Sequence, residues 1–126
     1  MSADSSYPIS PFLDAWLSHD WTTGVQTEDL PEREFLTVET ENSRYELTIV
    51  CGLTGDVLVR GGEFFPYTTA ARLAGSSLGG SLLKLRGICI GFRMEIQTHE
   101  RFIITSRVRS IVVVSGVDAR PAPQFC

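Results

Sequence analysis

The sequence predicts a mainly β fold: a small antiparallel barrel of five to six strands, preceded by a short N-terminal helix. Three observations carry this expectation. From about Glu34 onward, apolar and polar residues alternate with a period of two, the rhythm of strands that bury one face. Short stretches of turn chemistry separate the alternating runs. Only residues 10–19 keep the 3.6-residue rhythm of an amphipathic helix. With 126 residues, 43% hydrophobic and 21% charged, the chain suits a single domain with its own core.

The helix is expected over "SPFLDAWLSH". Ser10 suits the N-cap and Pro11 the first helical position, and Phe12, Leu13, Trp16 and Leu17 then share one face. About ten residues do not hold a helix alone, so this stripe is expected to dock on the sheet of its own chain. Residues 20–32, "DWTTGVQTEDLPE", read as an acidic connector with turns at Gly24 and Pro31. The organisation expected is therefore helix and connector over 1–32, a barrel over 33–116 and a frayed Pro- and Ala-rich tail over 117–126.

Within the barrel, "EFLTVETE" sets Leu36, Val38 and Thr40 on one face, and "RYELTIV" does the same for Tyr45, Leu47 and Ile49. Asn42 and Ser43 between them suit a tight hairpin turn. "DVLVRG" follows the turn at Gly55 and Asp56 and places Val57 and Val59 together. "ICIGFRMEI" reads as one strand with Ile88, Ile90, Phe92, Met94 and Ile96 on a single side. The polar "THER" turn then leads into "RFIITSRVRSIVVV", which contains a phase error. Phe102 and Ile104 keep step with Val108, but Ile111 and Val113 have the opposite parity, so a bulge or a one-turn helix near "TSRVR" is expected to reset the phase. Short strands with such a late break resemble the SH3-like barrels over residues 33–114. The resemblance is one of architecture and carries no functional residue with it.

Residues 60–87 form an expected insertion between strands. "TTAARLAG" within it has the composition of one or two helical turns ending at Gly75. Its glycine-rich part, "AGSSLGGSLLKLRG", suggests a phosphate loop but fails as one. Six positions after Gly75 stands Ser81 where GxxxxGK[ST] needs lysine, Lys84 comes three positions late, and a strand follows in place of a helix. A dinucleotide fingerprint fails as well, because no parallel βαβ unit is present. The stretch is expected to be a connector.

The candidate binding residues are Arg60, Phe64, Phe65, Tyr67, Arg72, Lys84 and Arg86 from the insertion, with Arg107 and Arg109 from the last strand. Aromatics interleaved with arginine are able to stack bases or hold an acidic ligand, and Arg107 and Arg109, two apart, share a strand face near Arg93 and Arg101. Charge is uneven: residues 1–46 carry ten acids and two bases, a net −8, and residues 47–126 carry five acids and nine bases, a net +4. The acidic "ETENSRYE" hairpin is therefore the expected partner of the arginine strip.

Catalytic chemistry finds no foothold. His19 and His99 stand in unrelated polar contexts, and no GxSxG elbow or HExxH helix occurs. No catalytic residue, cofactor or metal ligand is assigned. Cys51, Cys89 and Cys126 form no CxxC pair, Cys51 and Cys89 are expected to pack as free thiols, and the cysteine usage suits a reducing cytoplasm. No apolar run reaches the roughly 20 residues needed to span a bilayer, and no secretory signal is visible. The function expected is a non-enzymatic binding or assembly module, working on a protein partner or a second copy of itself. The alternatives are a nucleic-acid-binding barrel and, behind it, a small-molecule or nucleotide site at the barrel mouth.

Overall fold

The computed structural model describes residues 24–78 and 82–114. The helix expected over 10–19 and the tail over 117–126 lie outside them. The described chain is mainly β, in two antiparallel sheets. Its strands are β1 (Gly24–Gln26), β2 (Phe35–Thr40), β3 (Arg44–Cys51), β4 (Asp56–Gly61), β5 (Phe65–Ser77), β6 (Leu83–Leu85), β7 (Gly87–Cys89), β8 (Arg93–Gln97) and β9 (Phe102–Val114), with a single 3-10 turn at Thr27–Asp29. β1 pairs with β7. The larger sheet runs β4-β3-β2-β9-β8-β5-β6, and β4 pairs in addition with β5.

The period-two rhythm becomes burial where it was expected. Leu36, Val38, Tyr45, Leu47, Ile49, Val57 and Val59 all point into one core, with Leu73, Met94, Ile96, Ile103 and Val108 opposite them. The β2–β3 hairpin turns at Asn42 and Ser43, where the Thr40 N–H donates to the Ser43 carbonyl at 2.8 Å.

Two local expectations give way to the sheet. "TTAARLAG" lies inside the 13-residue strand β5 and forms no helical turn. Its backbone pairs with β4 through Ala71↔Val57 and Thr69↔Val59, then with β8 through Leu73↔Ile96. Two ladders outweigh the helical preference of Ala, Arg and Leu, which amounts to tenths of a kcal/mol per residue. "ICIGFRMEI" is two strands. Gly91 at φ 90° and the 3.1 Å bond from the Phe92 N–H to the Cys89 carbonyl turn the chain, so that β7 joins one sheet and β8 the other, and Ile90 is left exposed.

In β9 the phase reset expected near "TSRVR" is present. The strand runs unbroken to Val114, and its phase is reset by bulges with no helical turn. One bulge opposes Thr105 and Ser106 to Met94, and the other leaves Arg109 unpaired between Val108↔Thr40 and Ser110↔Glu39. Ile103 and Thr105 therefore face inward, while Phe102 and Ile104 face solvent. Phe102 and Ile104 share the parity of Val108 but not its face, because the first bulge lies between them.

One of the two cysteines expected to pack as free thiols does not. Cys89 is a free, buried thiol, whereas Cys51 is disulfide-bonded. Burial pushes the Cys89 thiol up, against the hydrogen bond of Ser76. Ser76, itself fully buried, donates to the Gly87 carbonyl at 2.7 Å and accepts the Cys89 N–H at 3.2 Å. These two bonds fasten the smaller sheet to the end of β5.

Candidate functional site

The nine sequence-derived site residues do not form one site. Phe65 is 1% exposed and sits in the core, its ring edge-on to Tyr45 with centroids 6.5 Å apart. It offers no face to a ligand. Tyr67, two residues on, is 79% exposed, and Phe64 is 38% exposed in the turn before β5. Arg60 is exposed on β4 opposite Glu46 of β3.

Three arginines hold acids of the same chain. Arg72 meets Asp56 at 3.2 Å, Arg86 meets Glu28 at 3.3 Å, and Arg109 meets Glu41 at 3.9 Å. The last pair joins β9 to the acidic hairpin, as the charge distribution suggests. Glu41 also accepts the backbone N–H of Arg107 at 3.2 Å. Lys84 is half-buried on β6.

Asp56 shows how such a pair acts. The Thr54 hydroxyl, donating at 2.7 Å, and then Arg72 hold its carboxyl below the usual range, with burial opposing them. A depressed folded-state value gives stability that is present above the unfolded value and is lost as pH falls through the folded one. Both side chains are largely exposed, so the contribution is under about 1 kcal/mol. Asp56→Asn is expected to cost that much at pH 7, and the difference from wild type should shrink as pH falls below about 4 and disappear once the carboxyl is protonated in the folded state, measured by urea denaturation at several pH values.

Two features that the expected site omits stand out in the fold. The first is the second half of β9. β2 pairs with it along one edge, from Ser110↔Glu39 to Val114↔Phe35. Along the other edge β8 reaches only to Arg107, and no strand among the described residues pairs with residues 109–114 there. Val112, Val113 and Val114 are 53%, 39% and 46% exposed. The signal was legible as "SIVVV", but an open edge is a property of pairing and appears only with the sheet.

The second is a groove of about 470 Å³ between the β2–β3 turn and the β4–β5 turn. Asn42 and Phe64 stand on these turns, and Arg93, Ile104 and Ser106 on β8 and β9 complete its lining. A further groove of about 610 Å³, lined by Val50, Leu58, Arg72 and His99 among others, lies over β4 and β5. Among the described residues no group of three His, Cys, Asp or Glu side chains is placed to hold a metal ion, and no helix is long and apolar enough to cross a membrane. Comparison of the chain with protein-family models, with curated proteins and with solved structures finds no match.

Proposed function

We propose that the chain is a non-enzymatic binding module that assembles with a second copy of itself through the open edge of β9. The observation that carries the reading is the run of residues 109–114, apolar from Ile111 on, which β2 pairs along one edge and no strand among the described residues pairs along the other. An edge strand presents a row of free N–H and C=O groups and invites another strand, and natural edges are guarded by lysine, proline or brevity. This run has no lysine and no proline. Antiparallel pairing of two such edges about a two-fold axis is self-complementary, and adjacent valines would close over the joint.

The same reading takes the larger sheet as a barrel. The β4–β5 pairing, added to the order β4-β3-β2-β9-β8-β5, returns the ladder to its first strand and supports a six-stranded closure. Closure removes every other long edge, which makes the β9 edge the natural contact. A cytoplasmic location belongs to this reading with one consequence: the bond at Cys51 would be kept reduced there, and the fold would stand on its ladders and core alone.

The test is sedimentation velocity over a range of concentrations. Wild type should dimerise, and Val112→Lys, which sets an ammonium at the joint, should remain monomeric with an unchanged Tm. A wild-type chain that stays monomeric at every concentration sinks the proposal. Single-stranded RNA serves as the comparison ligand: binding that falls steeply with rising salt would move the reading to a nucleic-acid barrel.

A further inference from the structure

The groove beside the β2–β3 turn holds a charge that the chain leaves unmatched. Arg93 is half-buried, and one of its N–H groups donates to the Thr105 carbonyl at 3.2 Å. A guanidinium carries five donors, so most of its hydrogen-bonding capacity is still free. Directly across the β8–β9 ladder stands Arg107, on the same face. The three ion pairs of the described residues use Arg72, Arg86 and Arg109, and neither Arg93 nor Arg107 takes part in one. Like charges directly opposite on neighbouring strands destabilise a sheet, and an oxyanion between two guanidinium groups removes that repulsion while gaining charge-assisted bonds.

Arg107 flanks the groove without lining it, and the lining residues around Arg93 complete the chemistry. Phe64 and Ile104 are 38% and 44% exposed and give the groove apolar surface. Tyr45 and Thr105, both buried, form its floor. Glu63, the one acid of the lining, makes no ion pair and offers an acceptor to a donor elsewhere on a ligand. The volume is that of ordinary small-molecule sites, which run from about 300 to 1,000 Å³.

We propose that this groove binds a small organic oxyanion, its carboxylate or phosphate held by Arg93 beside Arg107 and its flat apolar body lying on Phe64 and Ile104. The site is independent of the β9 edge, since Arg93 lies on β8 and the contact proposed for assembly begins beyond Arg107.

The experiment is an NMR titration of the isotope-labelled full chain with phenyl phosphate, benzoate, inorganic phosphate and phenol. Saturable shifts at the Arg93 side chain are expected with phenyl phosphate or benzoate, and which of the two binds tighter identifies the anionic group. Phenol, which has the body without the charge, should not bind. Arg93→Gln should weaken binding by about tenfold or more, the usual effect of losing a charged hydrogen bond. Phe64→Ala, at an exposed turn position, should weaken the aryl probes and leave inorganic phosphate unaffected, so the idea stays testable even if Arg93→Gln misfolds. No saturable shift with either aryl oxyanion, phenol binding as tightly as phenyl phosphate, or aryl binding indifferent to Phe64→Ala would overturn the assignment.

Discussion

Phe65→Ala is expected to cost about 3–5 kcal/mol of unfolding free energy, measured as a lower urea midpoint at unchanged slope. Phe65 opens β5 at the hairpin with β4, where it stands opposite Gly61, and its ring fills the core against Tyr45. Truncation loses the transfer energy of the ring and leaves a cavity that the closely paired strands cannot collapse. Domains of this size have about 5–15 kcal/mol in all, so a large fraction of the total would go. Tyr67→Ala supplies the internal control. Its ring is 79% exposed, and the change should stay within about 0.5 kcal/mol. Equal effects at the two positions would mean that the core is not where the fold places it.

Gly75→Val should be nearly as damaging, on the order of 3 kcal/mol, through backbone strain and overpacking. Gly75 has φ 150°, and a Cβ built there meets the Lys84 carbonyl oxygen at 2.1 Å. It stands where β5 is gripped from both sides, paired with Leu85 of β6 and with Glu95 of β8. Ala74 bulges out just before it, and its carbonyl accepts the Arg86 N–H at 2.9 Å. A side chain must push β6 off β5 or unwind the bulge. Thermal unfolding followed by circular dichroism reads the loss, and a Tm equal to that of wild type would contradict the close approach of β6.

Gly75 also shows what the glycine-rich stretch is for. Its sequence excludes a phosphate loop, and the fold supplies a different reason for its small residues. Ser76 and Ser77 are fully buried where three strands converge, and Gly75 admits a neighbouring backbone at contact distance. A need for smallness is visible in a sequence, but the neighbour that imposes it, the Lys84 backbone, comes from a different strand.

The same division runs through the candidate residues. Phe64, Phe65 and Tyr67 form one aromatic cluster in sequence, yet one lines a groove, one fills the core and one lies in solvent. Strand alternation sends adjacent residues to opposite faces, and which face is inward depends on pairing. Arg93 lay within the expected basic strip, but only its cross-strand position opposite Arg107 singles it out.

What the sequence determined by itself was the mainly β character, the β2–β3 hairpin and the inward face of β2, β3 and β4. Those follow from alternation along a single run, a property of covalent order. The tertiary structure alone decided that "TTAARLAG" is strand, that "ICIGFRMEI" breaks at Gly91, and that the phase reset expected near "TSRVR" takes the form of two bulges, at Thr105 and Ser106 and at Arg109. Each of these is fixed by a hydrogen-bonded partner distant in sequence. A ladder contributes enough per residue to override local preference, and no short window of sequence contains both of its strands.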